Sequence, residues 1–136
     1  MILENVTAHG NTAGDDGGGI AMKAESSAEI VNLILSKSGA EGVYVEEVYD
    51  DDEIPSEGVS ISYSNVWGSA DENYQGMEDA TGTSGTLSVP PGYMDAKSDD
   101  FSLKTNSQCV DVGDPSLKDK DGTVSDMGAT GGKGAP

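Results

Sequence analysis

The sequence predicts an all-β fold, a solenoid of a few short coils that ends in a closing segment rich in Asp and Gly. Three observations predict it: short apolar clusters bounded by turn residues, an imperfect repeat of these clusters, and a distinct C-terminal composition. Two such clusters, at residues 30–35 and 59–63, are separated from their neighbours by Gly, Asn, Ser and Asp. This alternation of strand-forming and turn-forming residues is typical of strand-and-turn proteins.

The composition by itself also fits a disordered chain. Only 24 of the 136 residues are Leu, Ile, Val or Phe, and 19 are Gly. The apolar residues gather in clusters, however, which favours ordered β structure. A solenoid coil needs few inward aliphatic residues, because each stacks on its counterpart in a coil ~4.8 Å away. Stacking of this kind accounts for the low aliphatic content.

The repeat is carried by Asn and Gly residues that precede apolar pairs. Asn5 and Asn32 lie 27 residues apart, Asn65 follows after a further 33, and Gly19 and Gly42 are separated by 23. Repeats of this length predict a solenoid. Asn and Gly at the corners supply the left-handed backbone conformations that tight turns require.

The predicted organisation is a single domain in two parts. Residues 1–99 form the coils, with an acidic loop inserted at about 46–58, and residues 100–136 form the closing segment. The apolar period of residues 24–38 is also compatible with a helix. The Ser and Asn residues inside that stretch are poor interior helix residues, so we favour strands there.

Four stretches of the sequence match phrases of a known repeat family. They lie at residues 17–20, 27–32, 61–68 and 100–132. They resemble the right-handed parallel β-helix repeat proteins of the pectate-lyase-like superfamily. The C-terminal phrase is the most specific, with a D-F-x-L stretch followed by S-x-x-x-D-x-G-D-P and D-x-D-G-T-x-x-D-x-G-A. The chain departs from this family at residues 89–96, where a D-P-x-F phrase is more usual.

The resemblance implies that the chain is the C-terminal portion of a parallel β-helix found outside the cell or at its surface. It also implies that further coils precede residue 1, because no N-terminal cap is visible. Solenoids normally cap their open edges. An uncapped first coil predicts either a fragment of a longer protein or a coil that meets a partner, including another copy of the chain.

The closing segment contains the best candidate metal ligands, four carboxylates around Gly122: Asp114, Asp119, Asp121 and Asp126. Alternating carboxylates beside a Gly can wrap oxygen ligands around Ca²⁺, which takes six to eight of them. Their spacing does not satisfy the EF-hand loop. The alternative is that these side chains cap turns by accepting hydrogen bonds from backbone N–H groups.

Four aromatic side chains are candidates for a carbohydrate-stacking surface: Trp67, Tyr63, Tyr74 and Tyr93. Only seven residues of the chain are aromatic, so their concentration towards the C-terminal half is noticeable. The alternative is that the rings pack under long loops. His9 is the single histidine, which excludes the usual zinc sites and favours a turn or surface role. The acidic run at 46–57 favours a solvated loop over a specific cation site.

Charge narrows the functions that the sequence allows. The chain has 25 acidic residues and seven Lys but no Arg, for a net charge of −18. The charge predicts no nucleic-acid partner, since phosphate contacts need clustered Lys and Arg. No apolar run has the length of a membrane span, and the N-terminus does not read as a signal peptide.

The sequence and the resemblance together therefore favour a non-catalytic extracellular β-helix segment with a structural, adhesin-like or carbohydrate-binding role. Its candidate cofactor is Ca²⁺. Its candidate partner is a polysaccharide or another extracellular or cell-surface molecule. A fragment of a polysaccharide lyase or hydrolase is the first alternative. The lack of Arg and of a Lys cluster argues against a lyase that acts on acidic chains. The second alternative is a fibre subunit that self-associates through its open N-terminal coil.

Overall fold

A computed structural model describes residues 1–14, 16–23, 26–46 and 58–135. Within them the protein is all-β, with two single 3-10 turns at Ala96–Ser98 and Gly128–Thr130 as its helical elements. The described strands are β1 (Ile2–Glu4), β2 (Thr7–His9), β3 (Ile20–Met22), β4 (Ala28–Val31), β5 (Ile34–Ser36), β6 (Val43–Val45), β7 (Val59–Ser62), β8 (Asn65–Trp67), β9 (Tyr74–Gln75), β10 (Tyr93–Asp95) and β11 (Asp100–Leu103). No described helix is long and apolar enough to cross a bilayer.

The first nine strands form three parallel sheets, and each sheet takes every third strand in chain order. The strand orders are β1-β4-β7, β2-β5-β8 and β3-β6-β9. Three consecutive strands thus make one coil, and we call β1–β3, β4–β6 and β7–β9 the first, second and third coils. This arrangement is compatible with a β-helix-like solenoid, and the all-β, parallel, in-register stacking that the sequence predicts is confirmed.

The interior of the coils is built from ladders of apolar side chains, one ladder per sheet. Pairing in register places Leu3, Ile30 and Ile61 in line on the first sheet. The other two ladders are Ala8, Leu35 and Val66 on the second sheet and Ile20, Val43 and Tyr74 on the third. All nine side chains belong to one hydrophobic cluster. Each coil contributes only one or two inward residues per sheet, since Met22 pairs with Val45 and Ala28 with Val59 in the same cluster, which is why so few aliphatic residues suffice.

The predicted spacing of the coils is partly confirmed. Asn5 and Asn32 both adopt left-handed conformations, with φ of 54°, at equivalent corners 27 residues apart. Ile20 pairs with Val43, so Gly19 and Gly42 are also equivalent.

The interpretation of Asn65 as the third corner asparagine is wrong. Asn65 pairs with Ile34, two positions beyond the corner, so the second and third coils are offset by 31 residues. The left-handed corner of the third coil is Tyr63, with φ of 47°. Its ring covers Gly85, where a Cβ atom would come within 2.5 Å of the ring. The missing side chain at Gly85 makes room for this unusual corner residue.

Strand β5 is buried on both faces, which explains the continuous apolar run around it. Leu35 points into the coil interior, whereas Ile34 packs with Tyr93, Cys109 and Met127 in a second hydrophobic cluster on the outer side of the sheet. The residues that cover Ile34 come from the C-terminal part of the chain. The predicted strands within 26–38 are confirmed at β4 and β5.

The C-terminal part begins with a covering strand and a hairpin. Leu87 forms a parallel bridge to Asn65, so residues 84–88 lie along the free edge of β8. Strands β10 and β11 then pair antiparallel, and this hairpin spans residues 99 and 100, where the sequence predicts that the closing segment begins. The chain next folds back across the β2-β5-β8 sheet towards the first coil.

Candidate functional site

Three carboxylates of the closing segment meet at one point. Asp111, Asp119 and Asp126 each place an oxygen within 4.8 Å of the others, with Asp111 exposed and the other two half-buried. The antiparallel bridge between Lys118 and Val124 closes a tight turn that contains Asp119, and Asp126 follows two residues after that bridge. We call these three residues the Asp cluster; they could hold a metal ion.

Backbone hydrogen bonds fix the orientation of the Asp cluster. The Asp119 carboxylate accepts hydrogen bonds from the backbone N–H groups of Asp126, at 2.9 Å, and of Gly132. The Asp126 carboxylate accepts one from the N–H of Asp111 at 2.9 Å. The same carboxylates therefore link separate stretches of the closing segment, which is the turn-capping role that the sequence leaves open beside metal binding.

The charged form of Asp126 is disfavoured by its surroundings. Burial raises the pKa of Asp126, and the neighbouring carboxylates of Asp119 and Asp111 raise it further, against the hydrogen bond from Asp111. Because folding raises this pKa, the contribution of Asp126 to stability is complete below its unfolded pKa and is lost as the pH rises through the folded value. A bound cation would offset that loss at neutral pH. Three carboxylates also supply the hard oxygen ligands that Ca²⁺ prefers.

The structure brings together only two of the four predicted metal ligands, Asp119 and Asp126. Asp114 and Asp121 lie outside the Asp cluster. Asp114 accepts a hydrogen bond from the Ser116 N–H at 2.8 Å. Asp121 accepts one from the N–H and one from the hydroxyl of Thr123, and these bonds lower its pKa.

Sequence reasoning missed Asp111. It lies in the same S-x-x-x-D-x-G-D-P phrase as Asp114 and adopts a left-handed conformation, with φ of 58°. Its distance along the chain from Asp126 hides the contact, although the D-x-G-D pattern was a signal for a second acidic turn.

The four predicted carbohydrate-binding aromatics differ in accessibility. Tyr74 and Tyr93 are 6 % and 9 % exposed, so their rings are not available for stacking in this structure. Trp67 and Tyr63 are half-buried and remain partly accessible. The Lys37 Nζ lies 4.5 Å from the Trp67 ring centroid, a cation–π contact that covers one face of the indole. Carbohydrate binding stays a prediction for the partly open rings.

Tyr93 instead packs against the rings of His9 and Phe101. The three ring centroids lie 5.2–5.4 Å apart. His9 Nδ1 is 2.8 Å from the Ser36 hydroxyl, which is 3.0 Å from the Tyr93 hydroxyl. Burial raises the pKa of Tyr93 to about 12. His9 is thus half-buried under the hairpin, and its ring anchors the C-terminal part of the chain to β2.

The predicted acidic loop lies almost entirely outside the described residues, which resume at residue 58. Glu46, its first residue, forms an ion pair with Lys23 at 3.7 Å.

No protein-family model matches the chain. Searches of curated proteins and of solved structures also find no match. The pectate-lyase-like resemblance therefore rests on the phrases of the sequence and on the parallel stacking of the strands.

Proposed function

We propose that this chain is a non-catalytic segment of a right-handed parallel β-helix, with a structural or adhesin-like role outside the cell or at its surface. One observation carries the proposal: the closing segment is hydrogen-bonded to both the first and the second coil. The Gly128 N–H donates to the Asn32 carbonyl at 2.7 Å, and the Ala129 N–H donates to the Thr7 hydroxyl at 2.9 Å. Bonds of this kind suit a rigid terminal element that holds neighbouring coils together.

A polysaccharide is the proposed partner. The partly accessible Trp67 beside Lys37 supports this, because an indole ring offers a flat apolar surface and the ammonium group adds a hydrogen-bond donor. The pectate-lyase-like architecture adds weight only by analogy, since one fold hosts many functions.

A panel of neutral and acidic polysaccharides tests the proposal. We expect retardation of the protein in gels that contain the bound polysaccharide, without release of reducing ends and without a rise in unsaturated-uronate absorbance. Turnover on any member of the panel would contradict the non-catalytic role and favour a lyase or hydrolase fragment. A known polysaccharide lyase on the same panel is the control for substrate quality.

We further propose that Ca²⁺ stabilises the closing segment at the Asp cluster. Millimolar Ca²⁺ is expected to raise the melting temperature above that measured with a chelator, because a ligand that binds only the folded state stabilises it. At 100 times its dissociation constant the ion would add about 2.7 kcal/mol. The measurement is a thermal melt followed by circular dichroism.

Two matched substitutions locate the calcium effect. Asp126→Asn keeps the side-chain oxygen that accepts from Asp111 but removes the charge, so the Ca²⁺-dependent shift should be lost. Asp121→Asn makes the same chemical change outside the Asp cluster and should keep most of the shift. Melting temperatures that are identical with Ca²⁺ and with chelator would remove the calcium proposal and leave turn capping as the role of these residues.

A further inference from the structure

A line of three hydrogen-bonding side chains joins the first coil, the second coil and the hairpin. His9 Nδ1 on β2 lies 2.8 Å from the Ser36 hydroxyl oxygen on β5, which lies 3.0 Å from the Tyr93 hydroxyl oxygen on β10. Ser36 is fully buried and Tyr93 is nearly so. Within the described residues, the Tyr93 hydroxyl has no other hydrogen-bond partner. We call these three residues the polar network.

The hydrogens of the polar network follow from a count of donors and acceptors. A neutral imidazole has one donor nitrogen and one acceptor nitrogen, and each hydroxyl donates once. If His9 Nδ1 is the acceptor, Ser36 donates to it and Tyr93 donates to Ser36, so both buried hydroxyl hydrogens are used. If Nδ1 carries a hydrogen, both bonds reverse, and the Tyr93 hydrogen is left without an acceptor. An unpaired buried donor is costly, so the first arrangement is the stable one.

Protonation of His9 removes this stable arrangement. The imidazolium ring has a hydrogen on each nitrogen, so Nδ1 can only donate to Ser36. Ser36 must then donate to Tyr93, whose own hydrogen loses its acceptor. Histidine is the side chain that ordinarily changes its charge between about pH 5 and about pH 8, and His9 is the single histidine of the chain.

No carboxylate contacts His9 in the described part of the chain. Its contacts are Ser36 on β5, Tyr93 on β10 and Phe101 on β11, and it belongs to no described ion pair. Cys109 shares a hydrophobic cluster with Tyr93, and burial raises the pKa of its thiol to about 11, so it is neutral here. The charged residues beside these strands are all exposed: Lys37, Asp95, Lys97, Asp99, Asp100 and Lys104. The contacts of His9 therefore provide no counter-charge for an imidazolium ion.

We propose that the polar network is a pH-sensitive fastening of the hairpin to the first two coils. The closed structure requires a neutral His9 ring, so the stability of this contact is complete above the titration range of His9 and is lost as the pH falls through it. Acid thus opens the hairpin by reversing two hydrogen bonds. The inference goes beyond the proposed function, and it depends on neither polysaccharide binding nor calcium binding.

The single cysteine reports on this opening. Cys109 is fully buried in the cluster that Tyr93 covers, so a thiol reagent reaches it only when this region opens. The reagent is dithiodipyridine, which reacts in weak acid, and its rate is divided by that of the urea-unfolded chain at the same pH. We expect this normalised rate to rise about tenfold between about pH 7.5 and about pH 5, since an unpaired buried hydroxyl costs a comparable factor.

His9→Asn is the matched variant. The Asn side-chain oxygen replaces Nδ1 as the acceptor for Ser36, and the amide does not titrate. Every carboxylate is retained, including that of Asp126, whose pKa is raised, so the carboxylates contribute equally to the acid response of both chains. We expect the normalised rate of His9→Asn to change less than twofold over the same pH range. An equal rise in both chains, or no rise in the unaltered chain, would overturn the proposal.

A measurement on the unaltered chain decides the matter even if His9→Asn does not fold. Nitrogen NMR of the His9 ring distinguishes a bare Nδ1 from a protonated one. We expect the hydrogen on Nε2 at neutral pH, and ring signals of Tyr93 and Phe101 that shift together with the protonation of His9 in acid. A hydrogen on Nδ1 at neutral pH, or a Tyr93 ring signal that does not follow the titration of His9, would contradict the assignment.

Discussion

At the scale of single residues, Asn32 connects the coils to the closing segment. It is fully buried and left-handed. Its side-chain oxygen accepts from the Asp114 N–H at 2.7 Å, and its amide nitrogen donates to Asn5 and to Ser125. Few residues combine a tolerance for positive φ with both a donor and an acceptor, so Asn is well suited to this corner. Gly113 lies so close to this amide that a Cβ atom there would come within 2.7 Å of its oxygen.

Replacement of this amide tests the connection. Asn32→Asp keeps the shape and the left-handed tolerance but places a carboxylate against the Asn5 oxygen, its former acceptor. We expect the free energy of unfolding, measured by urea denaturation at neutral pH, to fall by about 2–4 kcal/mol. Burial raises the pKa of the new carboxyl group, so the loss should shrink as the pH falls and the group becomes protonated.

The same substitution at an exposed turn is the control. Asn106→Asp changes an exposed side chain and should alter the free energy of unfolding by less than about 0.5 kcal/mol. A similar loss at both positions, or a loss at Asn32 that does not depend on pH, would show that the buried amide is not the link between coil and closing segment.

At the scale of elements, the sequence predicts the strands of the coils well because each repeats a local pattern. The corner of the third coil is an exception. Tyr63 takes a position where Asn or Gly is expected, and only its packing on Gly85, 22 positions further on, explains it. Long-range packing of this kind has no local signature, so the sequence pattern predicts a corner at Asn65 instead of at Tyr63.

The candidate metal site shows the same limit. Asp119 lies in the turn closed by the Lys118–Val124 bridge and Asp126 follows it directly, so their proximity follows from a short stretch of sequence. Asp111 joins them only because the closing segment folds back on itself. The sequence thus predicts the kind of ligand and the region, whereas the exact set of carboxylates depends on tertiary structure.

The second and third coils approach each other closely at Gly42, and this contact can be tested by adding a single methyl group. A Cβ atom at Gly42 would lie 2.7 Å from the Asn73 carbonyl oxygen and 2.8 Å from a methyl group of Val66. Gly42→Ala should therefore force the coils apart and lower the free energy of unfolding by about 1–3 kcal/mol in urea denaturation. Gly14→Ala, where nothing lies within 4 Å, should be neutral or slightly stabilising. Equal stability of the two variants would contradict the observed stacking distance.

At the scale of the whole molecule, the two ends of the coil stack differ. In the described structure, β1, β2 and β3 are edge strands with no neighbour on one side. Ile2 on β1 is 71 % exposed. At the opposite end, residues 84–88 lie along β8, and the Leu87 N–H donates to the Ser64 carbonyl at 2.7 Å. The middle sheet is therefore covered at one end, and a head-to-tail fibre could not continue through it.

Self-association through the first coil should accordingly stop at two chains. The net charge of −18 keeps chains apart at low ionic strength, and salt weakens this repulsion. We expect sedimentation velocity at high ionic strength to show a mass that rises with protein concentration from 13.9 kDa towards twice that value and no further.

Ile2→Lys places a charge on the exposed edge strand and should restore the monomer, as Lys does on natural edge strands. The substitution Met94→Lys, at a similarly exposed apolar residue on the hairpin, should leave the association unchanged. A monomer at every concentration and salt level would contradict self-association through this edge, whereas species larger than a dimer would show that residues 84–88 do not close the opposite end.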